Sequence, residues 1–400
     1  MLRFLTAGES HGQALVAILE GVPAGLAIDF DLIAHHLRRR QTGYGRGRRM
    51  AIESDRAQPL SGIRHGHTLG SPIALLIPNK DWENWQRTMA VEGEPDATVS
   101  GVDRPVVTRP RPGHADLAGV VKYGHEDIRN VLERASARET AARVAVGAVA
   151  RQLLGLVGAE VVSHVASIGS AGLASPLSVT VDDVKAIPGE SSLHCTDPEV
   201  ERRMIAEIDR ARDAGDTMGG SFEVIVHGLP PGLGSHVQWD RKLDGRLAQA
   251  LMSIPAIKAV GIGAGPAVAS LPGSRIHDEI LPAHGQPRPA GVLRPTNNAG
   301  GLEGGITNGE DLRVTAYMKP IATLMKPLRS VDLTTMDDSP ATIERSDVCA
   351  VPAAAVVGEA MVAFIMADAL IEKFGGDSVT ELVANWAAFR ERTAARFART

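Results

Sequence analysis

The stretch GESHG at residues 8–12 sets Glu9, Ser10 and His11 side by side between glycines. An imidazole titrates near neutrality, so His11 is a candidate for giving or taking a proton. A second candidate lies in TRPRPGHAD, residues 108–116, where Pro110 and Pro112 stiffen the chain around Arg109, Arg111 and His114. A third is acidic. Asp347, in RSDVCAVPAA at 345–354, stands with Arg345 at the mouth of a long apolar segment. A carboxylate in that setting is either salt-bridged or poised for proton transfer, because burying a lone charge is costly.

Anion-binding residue types surround these three. Arg38, Arg39, Arg40, Arg46, Arg48 and Arg49 put six guanidinium groups into twelve residues, with Gly43, Gly45 and Gly47 among them. Arginine forks match phosphate and carboxylate oxygens, and glycine lets backbone N–H groups approach an anion. The competing reading is a solvated helix end followed by a charged loop. In ERASARET, 133–140, Arg134 and Arg138 lie four apart, which on a helix puts them on one side. Ala135 and Ser136 there sit near the N–H groups expected at a helix start, where phosphate is attracted. The glycine-rich run NNAGGLEGGITNG, 297–309, and MKPIAT, 318–323, add a flexible cradle, a cation at Lys319 and a hydroxyl at Thr323.

Other chemistries lack their patterns. There is no H-E-x-x-H helix and no metal-ligand spacing, no G-x-S-x-G elbow, no Walker A loop and no G-x-G-x-x-G after a strand. Net charge is -5, so nucleic acid finds no chain-wide basic field and any anion site is local. Two cysteines, Cys195 and Cys349, with no C-x-x-C spacing argue for a reducing, cytoplasmic setting. No signal-like h-region opens the chain. The apolar run 348–374 contains Glu359 and Asp368, so it reads as a buried helix and not as a membrane span. The residues alone point to an enzyme acting on a small, multiply anionic substrate, with a polyanion-binding protein as the rival.

The elements that must position these groups follow from periodicity. LRFLTAG and QALVAILEGVPAGLAI read as short strands joined by glycine turns, and HTLGSPIALLIPN, EVVSHVASIG and SFEVIVHGL read as strands. DFDLIAHHLRRRQ, 29–41, is an amphipathic helix capped by Asp29 or Asp31. Thr196 and Glu199 read as a capping box opening a second amphipathic helix. Segments 132–158 and 350–373 are apolar nearly all round, as helices enclosed between sheets would be. At 400 residues, with 44% hydrophobic residues and no repeat or linker, the chain reads as one large unit over 1–400. A surface loop is expected at 88–110 and a polar tail after 380.

Together these segments resemble the chorismate synthase family. GESHG matches its N-terminal signature, ERASARETAARVAVGA its central one and RSDVCAVPAAAVVGEAM its C-terminal one. RRRQTGYGRGRRM, TRPRPGHAD, GLEGG and MKPIAT fall in the expected order between them. The resemblance implies an α+β fold, a β-α-β sandwich with buried helices enclosed between antiparallel sheets, assembled as a homotetramer. It implies the anti-1,4 elimination of phosphate and a ring proton from 5-enolpyruvylshikimate 3-phosphate, giving chorismate for aromatic amino acid biosynthesis. Reduced FMN is needed although no net redox change occurs. By the same resemblance His11 protonates the departing phosphate, and His114 manages charge at the flavin N1 edge. The ring proton goes to flavin N5, and Asp347 carries it onward. Ser10, Arg40, Arg46, Arg49, Arg111, Arg138 and Arg345 would hold substrate. Arg134, Ala135, Ser136, Pro255, Ala256, Gly304, Lys319, Pro320, Ile321, Ala322, Thr323 and Arg345 would hold FMN. Arg40 and Arg46 would also lie near an NADP phosphate in members that reduce their own flavin with NADPH; other members rely on a separate flavin reductase. The functional alternative is a flavin-dependent oxidoreductase on a similar anion.

Overall fold

The computed structural model describes residues 1–47, 55–93, 99–284, 289–344 and 346–397. Alternating side chains make β1 (Arg3–Ala7), β2 (Ala14–Glu20) and β4 (Ile73–Pro78), which join the short β3 (Gln58–Pro59) in one sheet of order β1-β2-β4-β3. A second sheet, of order β8-β9-β7-β5-β6, is built from β5 (Glu160–Ile168), β6 (Ala171–Gly172), β7 (Gly220–His227), β8 (Ile257–Ile262) and β9 (Leu312–Met318). Neighbouring strands in both sheets pair antiparallel. The chain is thus α+β, with antiparallel sheets.

Helix α1 (Phe30–Gln41) is capped by Asp29, whose carboxylate accepts from the Asp31 and Leu32 N–H groups. Two short helices, α2 (Asp116–Tyr123) and α3 (Arg129–Leu132), precede α4 (Thr140–Gly155). The long helix α5 (Pro198–Asp213) is capped by Asp197, not by Thr196 as the sequence reading has it. Pro198 fixes the first helical position, so the capping residue falls one place later. Helices α6 (Leu243–Met252), α7 (Val351–Phe374) and α8 (Val379–Phe397) complete the set named here.

Helix α4 lies against β1, β2 and β4, α7 against β5 and β7, and the two helices against each other. Glycine permits that approach: a Cβ on Gly147 would stand 2.3 Å from the Ala360 Cβ. By length and apolarity α7 would cross a bilayer, but 89% of its most apolar window is buried inside the protein. Its one fully buried charge is neutralised. Glu359 receives both Arg39 nitrogens, Nη1 at 2.7 Å and Nη2 at 2.8 Å, together with Arg151 at 2.9 Å and the Ser163 hydroxyl at 2.6 Å. Burial alone would raise the Glu359 pKa, yet the two arginines hold it well below the usual carboxylate range. Cys195 and Cys349 are both buried free thiols. The described part of 88–110 is irregular and mostly exposed, returning to the interior at Val107. The stretch expected as a polar tail is helical as α8, with Leu382 buried and Trp386 and Phe389 against the core.

Candidate active site

The GESHG loop joins β1 to β2 and is tied down from three sides. Asn79, just after β4, donates its Nδ2 to the Glu9 carbonyl at 3.1 Å and the Gly12 carbonyl at 2.8 Å. Ser10 N–H donates to the Glu133 carbonyl at 3.0 Å, and the Ser10 hydroxyl lies 3.1 Å from that of Ser136. His11 meets Glu133 twice: its backbone N–H donates to Oε2 at 2.9 Å, and its Nδ1 lies 2.9 Å from both carboxylate oxygens. The imidazole stacks on Trp85 with centroids 3.8 Å apart and planes 17° from parallel. Burial would raise the Glu133 pKa, but the hydrogen bonds from His11 and the charge of Arg129 carry it below the ordinary value.

Residues 133–140 do not open the long helix. Helix α3 ends at Leu132, Ser136 is extended, and its side chain caps a single 3-10 turn at Ala137–Glu139 before α4 begins at Thr140. A serine hydroxyl competes for nearby N–H groups, which favours a cap over a helix interior. The break sends the two arginines apart, so Arg134 and Arg138 share no face. Arg134 donates to the Gly8 and Thr6 carbonyls at 3.0 and 2.9 Å. Arg138 is buried and reaches Asp55 at 2.7 Å and the Asn79 Oδ1 at 2.9 Å.

The arginine-rich segment is likewise divided. Arg39 goes to Glu359 in the core. Arg40 is buried and shares Asp55 with Arg138, at 3.1 Å from the carboxylate. Burial depresses its pKa to about 10, partly offset by Asp55, so it stays charged at neutrality. Arg46 pairs with Asp347 at 2.7 Å, and the Gly47 N–H donates to the other carboxylate oxygen at 2.6 Å. Asp347 precedes the first residue of α7 by four, and its carboxylate meets Arg46 and Gly47. Arg48, Arg49 and Arg345 lie outside the described residues.

The RPRPGHAD segment forms the other cluster. The buried Asp116 carboxylate accepts from Arg111 N, Nε and Nη2 at 2.9, 2.8 and 3.0 Å and lies 2.6 Å from the His114 Nδ1. Burial would raise the Asp116 pKa, but the bonds from His114 and Arg111 hold it far below the ordinary range. Arg111 also reaches the Thr323 hydroxyl at 3.0 Å, and Lys319 reaches the Gly113 carbonyl at 2.6 Å. Lys319 N–H donates to the Ala256 carbonyl at 2.9 Å, bringing Pro255 and Ala256 to the same corner, and Ile321 accepts from Thr217 at 2.7 Å. Pro320 and Ala322 lie between these anchored residues. Gly304 stands apart. It occupies a turn in the 302–307 hairpin, and the next carbonyl, Gly305, receives the Leu243 N–H at the start of α6. Pro255 and Ala256 follow the other end of that ten-residue helix, about 15 Å away along its axis.

Both histidines hang from one satellite core of Val107, Val120, Ile128, Val131 and Leu132, which carries α2, with Asp116 at its start, and α3, with Glu133 just past its end. Sequence reasoning found Asp347 but missed Glu133, Asp116, Asp55 and Asn79. Asp116 was within reach of it, two residues from His114 in a motif already singled out, whereas Asp55 and Asn79 carry no local signal.

A family model described as chorismate synthase matches residues 2–371. A chorismate synthase of Desulforudis audaxviator is 57% identical over 392 residues, covering 98% of both chains. One of Moorella thermoacetica is 59% identical over 394 residues, covering 98% of this chain and 99% of that one. A solved structure, "Crystal Structure of Chorismate Synthase", superposes with a TM-score of 0.75 at 42% identity and covers 98% of each chain.

Proposed function

This chain belongs to the chorismate synthase family, carbon–oxygen lyases of the shikimate pathway, and we propose that His11, His114 and Asp347 handle its protons while its arginines hold the substrate anions. In the family reaction one C–O bond and one C–H bond of 5-enolpyruvylshikimate 3-phosphate break and a C=C bond forms, so phosphate and a proton leave without net redox change. His11 gives a proton to the departing phosphate, which lowers the cost of releasing a multiply charged anion. Asp347 takes the ring proton onward at its carboxylate. Ser10, Arg40, Arg46, Arg49, Arg111, Arg138 and Arg345 face the two carboxylates and the phosphate of the substrate. The observation that carries this reading is the pair of histidines, each bound through Nδ1 by a buried carboxylate, close to buried arginines.

Reduced FMN suits the corner formed by Ala256, Lys319–Thr323 and Gly113. Gly113, Ala256 and Ala322 there are small and Lys319 is cationic, and a Cβ on Gly113 would crowd the Lys319 Nζ at 3.1 Å. Lys319, Thr323, Ser136 and the backbone of Pro255, Ala256 and Ile321 would hold it, with Arg134, Ala135, Pro320, Ala322, Gly304 and Arg345 as further contacts. The chemistry it supplies when bound is that of an electron-rich, protonatable ring, and His114 would balance charge beside it. NADPH near Arg40 and Arg46 or a separate reductase would supply electrons. A homotetramer, a β-α-β sandwich layering and a cytoplasmic location complete the reading; the packing of α4 and α7 supports the layering.

The test is an anaerobic assay with photoreduced FMN and enolpyruvylshikimate phosphate, following phosphate release and flavin oxidation together. Elimination releases phosphate over many turnovers without consuming the flavin, whereas an oxidoreductase would use one reductant per product. His11→Ala should still bind FMN and substrate while losing about a hundredfold or more in turnover. Wild-type turnover in that variant would sink the leaving-group role.

A further inference from the structure

We propose that Glu133 is the positioning residue for His11, holding Nδ1 as the donor to its carboxylate so that the imidazolium gives up its Nε2 proton and is left as the neutral Nδ1–H form. This rests on the reading of His11 as the general acid.

Three features of the structure lead there. First, one carboxylate grips both ends of the residue, accepting the His11 backbone N–H at 2.9 Å and meeting the ring Nδ1 at 2.9 Å through each oxygen. Second, the Glu133 side chain is almost wholly buried, at 1% exposure, yet is held ionised by His11 and Arg129, the latter 3.5 Å away. An ionised carboxylate only accepts hydrogen bonds, so Nδ1 must donate and the lone pair of the neutral ring falls on Nε2. Third, the ring is kept from turning over. It lies flat on Trp85, and Trp85 is itself fixed by its indole N–H to Asp81 at 3.0 Å and by the Arg104 guanidinium over its ring at 3.9 Å. The His11 side chain keeps 15% exposure, so the ring is not sealed from the site. With Nδ1 committed to Glu133, Nε2 is the ring nitrogen left for the proton transfer.

A purely structural ion pair between Glu133 and Arg129 is the competing explanation. The backbone bond from Ser10 to the Glu133 carbonyl keeps the loop in place whatever the side chain does. Glu133→Gln should therefore fold. Its amide presents either an oxygen or an N–H to Nδ1, so the tautomer is no longer imposed.

Ring-nitrogen NMR of the full-length protein, with the His11 signals identified by their loss in His11→Ala, reads the tautomer directly. At a pH where the ring is neutral, the wild type should show the Nδ1–H form, and Glu133→Gln a mixture. In the anaerobic assay with reduced FMN, Glu133→Gln should lose at least about tenfold in kcat. Its substrate KM should stay within about twofold, as expected when only a transition-state interaction is lost. A wild-type spectrum showing the Nε2–H form overturns the proposal and needs no variant. So does a Glu133→Gln enzyme with unchanged kcat. If His11→Ala keeps its turnover, the acid role itself fails. If His11→Ala is inactive but Glu133→Gln matches the wild type in spectrum and kcat, only the positioning role fails.

Discussion

Asp116→Asn tests how the second cluster is held. The Asp116 carboxylate is 1% exposed and takes three nitrogens of Arg111 and the Nδ1 of His114 at 2.6–3.0 Å. Asparagine keeps the shape and one acceptor but presents an NH2 to a cluster of donors. Charge-assisted bonds are each worth about 1.5–3 kcal/mol, but they share one group and do not add. Breaking a buried pair by neutralising one partner costs about 3–5 kcal/mol, and the retained oxygen puts the expected loss near the lower end. Urea unfolding of both proteins measures it. In the anaerobic assay KM should rise, because Arg111 loses its anchor, and kcat should fall, because His114 loses its partner. The pH dependence has a definite sign. The folded pKa of Asp116 is depressed, so its contribution is complete above the unfolded value of about 3.9 and is lost as pH falls toward the folded one. The stability gap between wild type and variant should thus be constant near neutrality and narrow below about pH 4. An unfolding midpoint and kinetics equal to the wild type would refute the reasoning.

Asp55→Asn should remove the carboxylate that the buried Arg40 and Arg138 share and lower stability by about 3–5 kcal/mol in urea unfolding; an unchanged midpoint would mean that this shared carboxylate is not what compensates them. Asp347→Asn keeps the bond from Gly47 N–H and loses only a partly exposed pair with Arg46, worth about 1 kcal/mol, so it should melt near the wild type yet turn over slowly in single-turnover flavin spectra. Early melting with normal turnover per folded molecule would end its role in proton transfer.

What was legible in the sequence was local. Asp29 caps α1 because capping is decided within three residues, and the apolar run ending at Phe374 is a buried helix because its composition leaves no polar face. GESHG and RPRPGHAD stood out because glycine and proline fix a backbone over a few positions. The start of α4 was misplaced because a continuous run of good helix formers hides the cap at Ser136, where a hydroxyl outcompetes propensity. The long-range pairing of the arginines was not legible. Arg138 and Asp55 are 83 positions apart, and His11 and Glu133 are 122 apart, so no spacing rule reaches them. Arg39 and Arg40 are adjacent, yet one ends in the core on Glu359 and the other on Asp55, because consecutive helical residues diverge by about 100°.

On the proposed reading, that divergence lets a chain of net charge -5 build a local site for a substrate with two carboxylates and a phosphate. Bulk charge cannot attract the substrate, so selectivity has to come from guanidinium groups fixed before it arrives. Asp55 holds Arg40 and Arg138, Asp116 holds Arg111, and Asp347 holds Arg46. Each carboxylate offsets part of the desolvation of its arginine and also removes the rotamer freedom that a long cationic side chain would otherwise lose on binding. In a buried setting these charges are screened far less by salt than a surface patch would be. An anion site made this way depends on its acidic residues as much as on its arginines, which is why the substitutions that test it most sharply are at carboxylates.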